Sequence, residues 1–257
     1  VRETYIGLAA SLLYLFNFVP RAKVVWSSEL SHTWSLSVEE QFYILWAIVF
    51  KFLNKNFMYY TGLLLIAACA IFSFAIQVLS VDFKGTEYAL TEIFFPYRWT
   101  IPAIGAIVIG ALIALVNFDD RFNVKARFKK AQFGILALLI FCSPLYLPSF
   151  LLPVIRLFHG LGAALVLLWV FHNQEHRLVK VLEWQPVKYI GMISYGIYIW
   201  QGFFIRTGPE ALPKVWLHDF PYNVILAFLV SILSYELFEK RVMKLKKKYS
   251  IFIPDSR

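Results

Sequence analysis

The chain has 257 residues, 60% of them hydrophobic and 18% aromatic, and carries a formal net charge of +9. With a mean hydropathy of +0.64 it is too apolar for an ordinary soluble domain, in which about half of the residues are apolar. Its two cysteines exclude a disulfide framework and lack metal-ligand spacing, and its positive charge falls in alternate loops rather than along a stripe that could bind nucleic acid.

About eight apolar stretches approach the roughly 17–25 residues that cross a bilayer: 4–19, 38–53, 57–80, 99–118, 131–147, 154–172, 187–206 and 222–242. The second and fifth are short, and Pro144 breaks the fifth. The first runs into Pro20 without a small-residue cleavage pattern, so it reads as a span and not as a leader. Cys69 and Cys142 lie inside apolar stretches and read as packing residues. One face receives Arg2, Lys51 and Lys55, the group Arg121, Lys125, Arg127, Lys129 and Lys130, and Arg177, Lys180 and Lys188. The tail that runs from Lys240 through Lys248 to Arg257 falls on that face too, whereas the other face has only Arg21, Lys23, Lys84 and Lys214. Positive residues mark the cytoplasmic side, so both termini are expected there, with 244–257 as a basic cytoplasmic tail and the loop containing His32 facing outward.

Chemistry concentrates in the run His32-Thr33-Trp34-Ser35-Leu36-Ser37-Val38-Glu39-Glu40-Gln41-Phe42-Tyr43. It sets an imidazole, adjacent carboxylates, an amide, hydroxyls and aromatic rings together in a chain that is otherwise mostly apolar. Ser37 to Glu40 fits a capping box, with Ser37 as N-cap and Glu40 reaching back to its amide. Glu39, Phe42, Tyr43 and Trp46 share one side of the helix that follows, an arrangement suited to a sugar hydroxyl above an apolar wall, although interfacial anchoring also accounts for the aromatics. A local Ser35–His32–Glu39 triad is disfavoured because no nucleophile elbow is present. Arg98 opens the stretch 99–118; its planar guanidinium suits a phosphate or carboxylate, or else snorkels to the interface. Arg156 and His159 share a helical face and are expected to line a cavity. Glu236 and Glu239 are expected to pair with nearby lysines at the cytoplasmic interface.

The run from His32 to Tyr43 resembles the H-x-W-S-L-x-V-E-E-Q-F-Y signature of the acyltransferase 3 family, integral membrane enzymes that O-acylate sugars and other extracytoplasmic acceptors. Gly110-Ala111-Leu112-Ile113-Ala114 stands where family members have G-A-L-x-A after an arginine. Ile190-Gly191-Met192-Ile193-Ser194-Tyr195-Gly196-Ile197-Tyr198-Ile199-Trp200-Gln201 is similar to the family's I-G-x-I-S-Y-S-L-Y-L-W-H. Gln201 replaces the histidine there, and an amide hydrogen-bonds but does not shuttle protons near neutral pH. Ser234-Tyr235-Glu236-Leu237-Phe238-Glu239-Lys240 resembles S-Y-x-x-x-E-K-P, with Arg241 in the place of the proline.

The resemblance implies one all-α polytopic transmembrane bundle over 1–257, an acyltransferase 3 membrane domain lacking its first helices, with about eight of about ten expected spans. It implies transfer of an acyl group, expected to be acetyl, from acyl-CoA to a hydroxyl of an extracytoplasmic carbohydrate such as O-antigen, exopolysaccharide or peptidoglycan. The expected partners are the acyl-CoA donor, a carbohydrate or lipid-linked glycan acceptor and membrane lipid, with no nucleic acid, no metal and no bound cofactor. The bacterial inner membrane is the expected location. His32 and Glu39 are the candidate catalytic residues; Trp34, Ser35, Glu40, Tyr43, Arg98, Arg156, Tyr195 and Gln201 are the candidate substrate-binding residues. Two alternatives stand beside this reading: a transporter or flippase without acyl-transfer chemistry, and an inactive fragment, because the family's arginine pair and essential histidine belong to helices ahead of Val1.

Overall fold

A computed structural model describes residues 2–20, 29–82, 96–122, 124, 128, 131–148, 151–205 and 215–249. All regular structure among the described residues is helical, as expected from the apolar stretches. In chain order the helices are α1 (Arg2–Leu12), α2 (Thr33–Phe52), α3 (Lys55–Asp82), α4 (Thr100–Ala103), α5 (Gly105–Asn117) and α6 (Ala131–Phe141). They continue with α7 (Leu152–His172), α8 (Arg177–Leu182), α9 (Gln185–Phe204), α10 (Tyr222–Ser234) and α11 (Lys240–Tyr249). A π turn, Tyr235–Glu239, joins the last two. Two compact units result: Val1–Ser27 with His32–Lys180, and Ser28–Ser31 with Val181–Arg257.

Among the described residues, three runs are long and apolar enough to cross a membrane: Lys55–Ile76, Val154–His172 and Tyr222–Leu245. Interruptions, and not a shortage of apolar residues, shorten several of the other stretches. Helix α1 ends at Leu12, and the chain turns through Tyr14 at a φ of 55° into the 3-10 turn Phe16–Phe18. The stretch 99–118 is divided at Ile104 between α4 and α5, beside Pro102, which has no N–H to donate. Helix α6 stops at Phe141, and Pro144 lies in the 3-10 turn Ser143–Leu145 that follows.

The capping-box reading of Ser37 is corrected. Helix α2 begins at Thr33, with His32 as its N-cap residue, so Ser37 lies in its second turn and Glu40 has no free amide to reach back to. Ser37 is wholly buried, donating to the Thr33 carbonyl at 3.1 Å and accepting from the Phe16 amide at 3.2 Å. A long-range partner therefore claims the hydroxyl that a purely local rule assigns to the cap.

In the first unit, Val38 and Phe42 of α2, Cys69 of α3, and Ile104, Val108 and Leu112 at α5 form the buried core. Cys69 packs as expected and also donates its thiol to the Ile101 carbonyl at 2.7 Å, beside the break between α4 and α5. Helix α7 lies close against α5, since a Cβ at Gly160 would stand 2.6 Å from the Ala106 Cβ. Small residues permit such approach of apolar helices, where dispersion takes the place of a hydrophobic driving force. At the far end of α5, Asp119 is buried among basic partners. It accepts from the Arg121 guanidinium at 2.7 Å and from the Tyr59 hydroxyl at 3.1 Å, with Lys55 Nζ at 3.5 Å. Hydrogen bonds from Arg121 hold its carboxyl well below the usual carboxylate range, against the opposing effect of burial.

Candidate functional site

Around the N-terminal half of α2 the signature's polar residues divide into two groups. The first holds the fold. Gln41 donates through Nε2 to the Tyr14 carbonyl at 2.7 Å and to Asn17 Oδ1 at 3.0 Å. Asn17, itself buried, returns a bond to Gln41 Oε1 at 3.3 Å and donates to Thr100 Oγ1 at 3.2 Å, and the Thr100 hydroxyl donates to Gln41 Oε1. Thr33 joins the same seam through Ser11, their hydroxyl oxygens 2.9 Å apart. These contacts stitch the turn after α1 and the start of α4 onto α2. Thr100 lies two residues past Arg98, so the same network fixes the 3-10 turn Pro96–Arg98.

The second group surrounds a cavity. Trp34 meets Tyr97 edge to face, with ring centroids 6.5 Å apart. The Arg98 guanidinium lies 5.6 Å from both ring centroids, and the Arg156 guanidinium lies 5.3 Å from that of Tyr97. Guanidinium over an aromatic face is a favourable pairing, and it leaves the donor edge of Arg156, which pairs with no described carboxylate, available for an anion. Trp34, Tyr97 and Arg156 line a cavity of about 320 Å³, together with Ser73 of α3, Pro102 and Ala103 of α4, Gly105 and Ala106 of α5, and Leu157 of α7. Among the described residues no acidic side chain lines it and none pairs with Arg156.

The structure thus brings Trp34, Arg98 and Arg156 together, three of the residues singled out from sequence. His32 is half-buried just before α2, its carbonyl accepting from the Ser35 amide and hydroxyl, each at 3.4 Å. Glu39 is exposed and has no hydrogen-bond or ion-pair partner among the described residues. It stands seven residues on from His32, about 10 Å along the helix axis, and no hydrogen bond or ion pair joins the two. Glu40 is half-buried, and Tyr43 is exposed with its edge against Phe42. The pairing of His159 with Arg156 around one cavity is corrected. The His159 Nδ1 lies 2.9 Å from the carbonyl of Phe141, the last residue of α6, and its ring lies over the Phe141 ring. A helix end leaves such carbonyls without intrahelical partners, which accounts for the placement.

Tyr195 and Gln201 belong to α9 in the second unit, exposed and half-buried respectively. In that unit Glu236 pairs with Lys240 at 2.8 Å as expected, but Glu239 does not pair with a lysine. The π turn directs it inward, where it accepts from the Ser234 hydroxyl at 3.2 Å and lies against Gly196, whose Cβ, were there one, would be 3.3 Å from the carboxylate. Tyr97, Asn17 and Thr100 were not legible as site residues. The aromatic run before Arg98 is the one signal that points to Tyr97.

A chain whose described regular structure is all helical, with apolar helices long enough to cross a bilayer, is an integral membrane protein. Residues 4–236 match the model of the acyltransferase domain family, and the chain belongs to that family. It is 26% identical over 230 residues to the putative peptidoglycan O-acetyltransferase YrhL of Bacillus subtilis (strain 168), covering 84% of this chain and 35% of that protein. A second relative, peptidoglycan O-acetyltransferase OatA of Listeria monocytogenes, is also 26% identical over 230 residues, covering 84% of this chain and 36% of its own length. The chain therefore spans about a third of the length of these curated relatives. No solved structure matches.

Proposed function

We propose that this chain forms the membrane part of an O-acetyltransferase that moves an acetyl group from acyl-CoA to a hydroxyl of a cell-envelope carbohydrate, with peptidoglycan the favoured acceptor class. One observation supports the reading: in a chain of the acyltransferase family, the signature helix brings Trp34 to a cavity where the Arg156 guanidinium rests on the Tyr97 ring and meets no acid among the described residues. Aromatic faces suit a sugar ring, and the guanidinium suits an anionic group of the substrate.

In the reaction the acceptor oxygen attacks the thioester carbonyl, its proton passes to a base, and the thiolate leaves after the tetrahedral intermediate collapses. His32, just before α2, and Glu39, exposed and without a partner among the described residues, are the proton-handling groups in this proposal. Trp34, Ser35, Glu40 and Tyr43 shape the acceptor side. Arg98 and Arg156 hold charge. The charge bias of the loops supports a cavity on the outer face of the inner membrane with both termini inside.

Membranes containing the full-length protein, given acyl-labelled acetyl-CoA, should pass label into envelope glycan as an alkali-labile ester. Movement of glycan or donor across the membrane with no ester formed would replace this reading with that of a transporter.

A further inference from the structure

A serine inside a helix can spend its hydroxyl on a carbonyl three or four residues back. In this chain Ser11 donates to the Gly7 carbonyl at 2.9 Å, Ser37 to Thr33 at 3.1 Å, Ser194 to Gly191 at 2.8 Å and Ser231 to Ala227 at 2.6 Å. Ser35 bonds back to the His32 carbonyl, and Ser234 to the Glu239 carboxylate. Ser73 of α3 is different. Its hydroxyl has no hydrogen-bond partner among the described residues, and it lines the cavity that holds Arg156.

Cys69, one turn earlier on the same face of α3, makes the contrast sharper. Its thiol is committed to the fold, donating to the Ile101 carbonyl at 2.7 Å. One turn on, Ser73 is half-buried and opens onto the cavity instead. A hydroxyl without a partner in an apolar setting costs free energy, so the arrangement makes sense if a ligand completes it. The cavity of about 320 Å³ has an aromatic wall from Trp34 and Tyr97, a cation from α7 and a hydroxyl from α3, and its other lining side chains are apolar. A few placed polar groups in a mostly apolar pocket fix a ligand's orientation.

We propose that Ser73 is a specificity-determining residue of the acceptor site. Its hydroxyl bonds one polar substituent of the acceptor sugar and so sets which way the ring lies against Trp34, Tyr97 and Arg156. A serine hydroxyl both donates and accepts, which matches a sugar hydroxyl or an acetamido group, whereas a hydrocarbon chain leaves it unpaired. A site built to pair its hydroxyl with a substrate group rejects the analogue that lacks the group, because the protein side is then stranded. The inference rests on the carbohydrate-acceptor reading above and adds the residue that reads the ring.

The test uses full-length protein in nanodiscs, with tri-N-acetylchitotriose and its monodeoxy analogues as probes. Equilibrium binding is measured without acyl donor, and acetyl transfer from acetyl-CoA separately. Ser73→Ala removes no bond of the fold and introduces the better helix former, so it should melt at or above the wild-type temperature. Its affinity for the parent sugar should fall roughly five- to tenfold, the scale of one hydrogen bond, and transfer should show that loss in KM and not in kcat. For one monodeoxy analogue, wild type and Ser73→Ala should bind alike, which identifies the substituent that is read. Ser73→Thr retains the hydroxyl and should recover most of the parent affinity. Unchanged parent affinity in Ser73→Ala, or no binding of the parent sugar by wild type, would overturn the proposal. A lower melting temperature with equal losses for every analogue would overturn it too, leaving Ser73 as a fold residue. Transfer by wild type that Ser73→Ala does not alter would remove the proposal and keep the acyltransferase reading. Binding that depends on Ser73, with no ester formed by wild type, would keep the site and remove the reaction.

Discussion

Two arginines at opposite ends of the first unit show how differently the same side chain can be used. Arg121, at the basic end, is engaged by its own chain: Nε, Nη2 and the backbone amide bond to Asp119, and Nη1 reaches Asn56 at 3.2 Å. Arg156, at the signature end, rests on the Tyr97 ring beside a cavity and pairs with no described carboxylate. An arginine whose three guanidinium nitrogens each find a partner in its own chain ties helices together, here α3 to the end of α5. One supported only on its apolar face keeps its donors for something else. Charge alone does not separate these roles, and partner geometry does.

Changes at the signature end should therefore act on transfer, and changes at the basic end on folding. The largest effect is expected at Glu39. In the full-length protein Glu39→Gln should lower transfer on the order of 10²-fold, the scale of a lost proton-handling group, while membrane abundance stays unchanged. Glu40→Gln should keep most activity, and equal mild losses for both would reduce Glu39 to a surface residue of α2. Next comes Arg98→Lys, which retains the charge but not the planar fork and should cost roughly tenfold in apparent substrate affinity. Full activity in that variant would leave Arg98 as an interfacial anchor.

Helices and the chemical run were readable from sequence because both are local properties: apolar length, and polar types crowded into one short segment. Arg98, Trp34 and Arg156 were found on the same grounds. Gln41 was not, because its role exists only once Asn17 and Thr100 arrive from 24 and 59 residues away. Ser37 was misassigned for a related reason, its hydroxyl being taken by the distant Phe16 amide. Glu239 was missed as an inward group because a local charge pattern shows neither the π turn in which it lies nor its bond from the Ser234 hydroxyl.

That distinction gives a smaller prediction. Gln41→Leu leaves Asn17 buried with lost partners, so it should lower thermal stability by the equivalent of about 1–3 kcal/mol, read by a melting scan of the purified protein. Its transfer rate per folded molecule should fall less than that of Arg98→Lys. A melting temperature equal to wild type would mean that the seam is dispensable. The smallest effect concerns Asp119. Because its carboxyl is depressed in the fold, the stability it provides is complete above the ordinary carboxylate pKa of about 4 and is lost as pH falls below it. Asp119→Asn should flatten the acid limb of a stability-versus-pH curve while leaving transfer at neutral pH nearly unchanged. An acid limb identical to wild type would count against the ion cluster as a fold element.

The most direct test sets Arg156→Gln beside Arg121→Gln in full-length protein, measuring acetyl transfer per folded molecule and melting temperature in the same preparations. The account predicts a crossed result: Arg156→Gln melts like wild type and transfers roughly tenfold less, and Arg121→Gln melts lower yet transfers normally once folded. Normal transfer by Arg156→Gln, with loss of stability alone, would contradict the assignment of the signature end as the ligand site.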